Sequence, residues 1–134
     1  MKQERKLEII NSLKMCVDLN DENLNDYFEK LHQIGVDFAK NKIFNLLSKF
    51  FNIFGNESRL KILKLLDQKD YCVCELEAIL DNSQSSISHH LKLLENAGLI
   101  RGIKRGYFTH YEIKNENVKK FLNLFDEQYS FLKK

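Results

Sequence analysis

No proline occurs anywhere in the 134 residues, and only five glycines do. Proline is the residue that most reliably breaks a helix, so helical apolar patterns here meet few obstacles and helix should dominate. Ile9, Leu13, Cys16 and Val17 form one stripe at helical spacing. After the polar cluster "DLNDEN", a second pattern runs through Leu24, Tyr27, Phe28, Leu31, Ile34 and Phe38. It resumes as Ile43, Leu46, Leu47, Phe50, Phe51, Ile53 and Phe54, which predicts one long helix, or two nearly continuous ones, up to Gly55. Asn56 is placed to cap the next helix, where Leu60, Ile62, Leu63, Leu65 and Leu66 are apolar nearly all round and therefore expected to be buried. A short helix follows around Glu75 to Leu80. Ser83 then caps another that carries Ile87, Leu91 and Leu94 to the core and stops at Gly98. From Leu99 the period changes: "LIRGIKRGYFTHYEI" places β-branched and aromatic residues on both sides of "KRG", the pattern of a two-stranded hairpin. The last segment returns to helix with Val118, Phe121, Leu122, Phe125, Tyr129 and Leu132 on one face. The expected class is mainly α with a small β element (α+β).

A chain of this length has room for one ordinary core, so a single domain is expected. At 43% hydrophobic and 30% charged residues it is neither disordered nor membrane-embedded, and no apolar run reaches the roughly 18 to 20 residues of a spanning helix. "MKQERKLEII" lacks the features of a secretory signal, which points to the cytoplasm and to reduced thiols. Three cysteines, two of them only one residue apart, do not form a disulfide framework. The net charge of +2 is too small to argue for nucleic acid by itself, so any basic footprint must be local. The wide apolar face of the terminal helix is hard to bury inside so small a protein. Packing against a second copy in a homodimer is the simple solution, and folding back onto one subunit's core is the alternative.

Helix, short helix, capped helix and hairpin, in that order, make a winged helix-turn-helix. From "NIFGNESRLKILKLLDQ" through "YCVCELEAIL", "NSQSSISHHLKLLENAGLI" and "RGIKRGYFTHYEI", the chain resembles the ArsR/SmtB family of metal-responsive transcriptional repressors. The resemblance covers roughly residues 44–113. "SQSSISHHLKLLENAGLI" resembles the family's recognition helix, and "CVCEL" its metal-binding box. The implied organisation is an N-terminal helical extension over 1–43, a DNA-binding core over 44–113 and a C-terminal dimerisation helix over 114–134. The implied behaviour is that of a homodimer on double-stranded operator DNA, released when a metal or metalloid binds, with no catalysis and no cofactor needed for DNA binding.

The residues can also be read without that resemblance. With Ile87, Leu91 and Leu94 turned inward, the roughly 100° step of a helix puts Ser85, His89, Lys92 and Asn96 on the opposite face, flanked by Gln84 and Ser88. Gln84, Ser85, Ser88 and His89 are then expected at base edges in a major groove, and Ser86 at a phosphate. His90 sits beside the core stripe, where packing is its expected role. The hairpin adds Arg101, Lys104 and Arg105, with Tyr107 next, as phosphate-binding candidates; a merely solvated turn is the alternative.

Cys72 and Cys74 would diverge by about 200° on a helix, so they can share one ion only where the segment is extended at a helix start. "KDYCVCEL" is such a start, and amide donors there favour negative charge. The alternative is two small buried residues. Cys16, on its apolar stripe, is either a third ligand or core filler. Three thiolates suit trivalent arsenic or antimony, and also cadmium, lead or bismuth, whereas zinc would want a fourth ligand. Thiol oxidation or persulfidation is the rival signal, and effector-independent DNA binding a third reading. The family's second site, built from Asp and His on the C-terminal helix, is not evident, because "NENVKKFLNLFDEQYSFLKK" has no histidine. His32 and His110 read as isolated surface or packing residues.

Overall fold

The computed structural model describes residues 1–134, the side chains of Asp21 and Glu22 excepted. Contacts divide the chain into two compact units, residues 1–42 and 43–134. The first is a pair of helices, α1 (Gln3–Cys16) and α2 (Asp21–Lys40). The Asn20 side chain caps α2 by accepting from the Asn23 amide at 2.9 Å. Leu24 and Phe28 are buried, and Lys6 lies over the Phe28 ring while reaching Glu29 at 2.6 Å. That hydrogen bond from Lys6 holds the Glu29 carboxyl below its usual range. Helix α1 has no buried residue, and Cys16, at its last position, is exposed.

The second unit begins with α3 (Ile43–Phe54). The extended backbone of Asn41, φ −84° and ψ 108°, ends α2, so the long apolar pattern resolves into two helices and Gly35 inside α2 breaks nothing. Then come α4 (Glu57–Gln68), β1 (Tyr71–Cys72), α5 (Val73–Leu80), α6 (Gln84–Asn96), β2 (Ile100–Arg105), β3 (Phe108–Ile113) and α7 (Asn115–Tyr129), followed by a single 3-10 turn, Ser130–Lys133. The expected two-stranded hairpin is part of a three-stranded antiparallel sheet in the order β1-β3-β2. Two residues, Tyr71 opposite Tyr111 and Cys72 opposite His110, supply the third strand. A two-residue strand leaves no periodicity in the sequence, which is why the pattern of alternation missed it. The hairpin closes at Gly106, whose φ of +67° is the left-handed conformation a two-residue turn requires.

Ile62, Leu66, Leu76, Ile87, Leu91, Leu94, Leu99 and Ile100 form the core, drawn from α4, α5, α6, β2 and the bend before β2. Helix α4 buries only part of its circumference: Leu60 is 51% exposed, against the expectation that all its leucines are inside. The helix is covered on one side, and its apolar character all round leaves Leu60 facing out. On α7, Phe121 is buried in an aromatic cluster, stacked on Phe50 at 4.6 Å and Phe54 at 5.4 Å and edge-on to Phe51 at 5.3 Å. Leu122, Phe131 and Leu132 stay more than half exposed.

Arg59 is the buried charge of this unit, at 9% exposure. Its guanidinium donates to the Ile53 carbonyl at 2.7 Å and the Asn52 carbonyl at 3.1 Å, closing the end of α3, and lies 3.2 Å from His90 Nδ1. Burial, then the Arg59 and His89 charges, push the His90 imidazole below its usual value of 6.5, so at neutral pH the ring is an acceptor for Arg59. Helix α6 ends in a Schellman motif. The Leu99 amide donates to Leu94 O at 3.0 Å and the Gly98 amide to Glu95 O at 2.9 Å, with Gly98 at φ +76°.

Two predictions follow from these contacts. Gly98→Ala forces a Cβ into a left-handed residue and to 2.4 Å from Asn117 Nδ2, the group that donates to Gly98 O. It should cost about 1–3 kcal/mol, read as a lower urea midpoint at unchanged slope. His90 binds its proton less readily folded than unfolded, so its contribution to stability is full above 6.5 and is lost as pH falls below that value. His90→Gln should flatten the decline of stability as pH falls below 6.5, measured by urea unfolding at each pH.

Candidate nucleic-acid interface and thiol site

Helices α5 and α6 are joined by a turn whose Asp81 adopts the left-handed conformation, φ 54°, while Asn82 Nδ2 donates to Ser58 Oγ of α4 at 3.2 Å. This ties the helix-turn-helix to the helix beneath it. Ser83 caps α6 by accepting from the Ser86 amide at 3.2 Å. Since Ile87, Leu91 and Leu94 are buried, Gln84, Ser85, Ser88, His89 and Lys92 are all exposed along one side of α6, and Ser86 is half-buried next to the cap. His90 faces Arg59 instead, in the packing role expected of it. The side of α6 that meets the wing does so through Glu95, whose carboxylate accepts from the Gly102 amide of β2 at 3.1 Å. Burial, with the Glu95 charge second, raises the neighbouring Tyr111 hydroxyl above its usual value.

The cations of the wing are not equivalent. Arg101 donates through Nε to Glu112 across the hairpin at 2.5 Å. Arg105 Nε lies 3.5 Å from Asp70 Oδ2. Among the described residues no carboxylate pairs with Lys104, and Tyr107 stands at the tip, 98% exposed. The wing thus offers one unencumbered ammonium and two guanidiniums that must share themselves with carboxylates.

The two cysteines are held differently. Cys72 is at once the end of β1 and the N-cap of α5, with extended backbone at φ −90° and ψ 170°, and is buried; Cys74, inside the first turn of α5, is exposed. Cys72 thus has the extended backbone of a helix start, but one thiol is buried and the other exposed, and the group of ligand atoms that gathers around Cys72 among the described residues includes neither Cys74 nor Cys16. Cys72 stands in the capping position normally taken by serine or threonine: Glu75, three residues on, accepts from the Cys72 amide at 3.0 Å. The Cys72 amide, and after it the Cys72 thiol, hold the Glu75 carboxyl below its usual range.

Across the sheet from Cys72 sits His110, which is not the isolated residue its sequence position suggests. One ligand atom from each of Cys72, Glu75 and His110 lies within 4.8 Å of the other two. His110 Nδ1 is buried and 2.9 Å from Asp70 Oδ2, but no in-line hydrogen bond satisfies it. Asp70, Glu75 and His110 were all missed by sequence reasoning. Glu75 alone carried a signal, as the fourth residue of a capping box beginning at a cysteine; the approach of His110 depends on strand register, which no local pattern encodes.

The sequence profile described as the bacterial regulatory protein arsR family matches residues 56–101, the stretch from the α4 cap to the start of the wing. An uncharacterized HTH-type transcriptional regulator of Methanocaldococcus jannaschii is 40% identical over 81 residues, spanning 60% of this chain and 91% of that protein. The cadmium resistance transcriptional regulatory protein CadC of Listeria innocua is 38% identical over 99 residues, 70% of this chain and 83% of its own length. Among solved structures, a possible transcriptional regulator for arsenical resistance superposes with a TM-score of 0.54 at 29% identity, covering 59% of this chain and 82% of the other. No helix among the described residues is long and apolar enough to cross a membrane. The winged helix-turn-helix, the matching profile and the relatives matched over most of their length together establish that the chain belongs to the ArsR family of DNA-binding transcriptional regulators, and is not an enzyme.

Proposed function

We propose that this protein is a homodimeric repressor that leaves duplex operator DNA when a thiophilic ion, arsenite first among them, is captured by Cys72 and Cys74, with Cys16 of the same or the other subunit as third ligand. The observation that supports this reading is the extended N-cap conformation of Cys72, which lies outside the regular turn of α5, so the divergence of two helical positions is not imposed on the pair. An ion demanding both sulfurs fixes the start of α5, the first helix of the DNA-binding pair, and so reaches the reading helix α6. Two soft sulfurs plus a third suit As(III) or Sb(III), with Cd, Pb or Bi as lesser candidates. The names of the relatives, one for cadmium and one for arsenical resistance, support an ion of this class. The exposed apolar side chains Leu46 and Phe51 of α3 and Leu122 of α7 support a self-association surface.

On DNA, Gln84, Ser85, Ser88 and His89 read base edges, while Ser86, Lys92, Arg101, Lys104, Arg105 and Tyr107 meet the backbone. Lys104→Ala should weaken binding to specific and random duplex alike and reduce the salt slope by about one unit. Arg101→Ala should do less, because Glu112 already neutralises it. Ser85→Ala or His89→Ala should instead change sequence preference. Fluorescence anisotropy across a salt series on both duplexes checks all of these, and equal losses for the helix and wing variants would overturn the assignment.

For the switch, the reduced protein is titrated with arsenite while sulfur charge-transfer absorbance and DNA anisotropy are followed together. Release should be roughly 5- to 150-fold in affinity. Cys74→Ser should keep DNA binding and lose the response, and Cys16→Ser should bind arsenite more weakly. Undiminished release in the Cys72→Ser, Cys74→Ser double variant would remove the pair from the mechanism.

A further inference from the structure

The structure assigns Cys72, Glu75 and His110 a second role, as a mixed sulfur, oxygen and nitrogen site for a borderline divalent cation of the zinc, cobalt and cadmium class, binding the start of α5 to the wing strand β3. This rests on the reading of Cys72 as an ion-binding thiol, but needs neither Cys74 nor Cys16. Three observations carry it. The three ligand atoms already lie within 4.8 Å of one another, although they come from a strand end, the first turn of a helix and a different strand. One thiolate, one imidazole and one carboxylate are the donor types that zinc-like ions take together, whereas a trivalent metalloid wants sulfur throughout. His110 Nδ1 is buried 2.9 Å from Asp70 Oδ2 without an in-line hydrogen bond, so among the described residues this buried ring nitrogen has no hydrogen-bond partner.

Bonds of about 2.0–2.3 Å to a tetrahedral ion would bring these donors to roughly 3.5 Å from each other, a contraction of at most about 1.3 Å from separations within 4.8 Å. The contraction draws β3 and α5 together. The Cys72 thiol gives its proton to solvent as the Cys72–metal bond forms, and a water molecule takes the fourth position. Asp70 is the link outward, because the same carboxylate oxygen that lies 2.9 Å from His110 also lies 3.5 Å from Arg105 near the wing tip. A cation at His110 therefore changes the charge that Asp70 presents to a DNA-facing arginine, whereas the thiolate pair acts through the helix start alone.

The test uses the reduced, full-length protein with Co²⁺ as probe and Zn²⁺ in competition. Wild type should develop a sulfur-to-cobalt charge-transfer band together with the intense visible bands of a tetrahedral site. His110→Gln should bind Co²⁺ at least tenfold more weakly and lose visible intensity while binding arsenite as wild type does, and Cys74→Ser should keep the cobalt spectrum. Wild-type protein that does not bind Co²⁺, or a His110→Gln variant with wild-type affinity and spectrum, would overturn the proposal. X-ray absorption of the zinc-loaded wild type requires no variant: imidazole scattering with a single sulfur is expected, and an all-sulfur shell refutes the site. Arsenite that fails to release DNA while cobalt binding depends on His110 would sink the arsenite reading and leave this one standing. Arsenite release with cobalt binding indifferent to His110 would do the reverse.

Discussion

The antiparallel pairing of Tyr71 and Cys72 with Tyr111 and His110 is the contact on which the DNA-binding unit depends. Without it, the segment between α4 and α5 would be a loop, and the wing a two-stranded ribbon of the kind that is barely stable alone. With it, the residue that starts α5 is anchored to the wing, Glu95 anchors the far end of α6 to the same wing, and the Asn82 to Ser58 bond fixes the turn between them. Two helices and a sheet therefore present a single surface. The core leucines and isoleucines hold this arrangement together, but the short strand decides which residues face each other across it.

Much of this was legible in the sequence, for identifiable reasons. The absence of proline and the spacing of Ile87, Leu91 and Leu94 located α6 and its outer face, Ser83 and Gly98 marked its ends, and "KRG" marked the wing tip. These are signals carried within a few residues of where they act. What sequence reading missed lies at larger separations. Arg59 reads as one of several charged residues on α4, yet it is buried because carbonyls of Asn52 and Ile53 and the ring of His90 all converge on it. His110 reads as isolated because Cys72 is 38 positions away along the chain, and only register brings them together. Leu60 failed the other way: apolarity all round a helix does not say which side is covered.

The electrostatics of the DNA-facing surface also differ from a count of its cations. A net charge of +2 leaves little long-range attraction for a polyanion. Two of the three wing cations have carboxylate neighbours, Glu112 for Arg101 and Asp70 for Arg105. In the proposed docking, phosphates compete with these carboxylates for the same guanidiniums. Affinity then depends on how firmly the carboxylates hold, and Asp70, shared with His110, has a second claim on it. If release is the switch, as proposed, such a surface suits it, since a small local rearrangement changes a large share of the available positive charge.

The unequal burial of the neighbouring thiols has a kinetic meaning. Cys74 is open to solvent and Cys72 is enclosed by the sheet. In the proposed capture by the Cys72 and Cys74 pair, an ion arriving from solvent meets Cys74 first and gains the second sulfur only when the strand and helix start loosen enough to admit it. Capture would then divide into a quick, reversible encounter and a slower commitment, and an exposure shorter than the second step would leave no lasting mark.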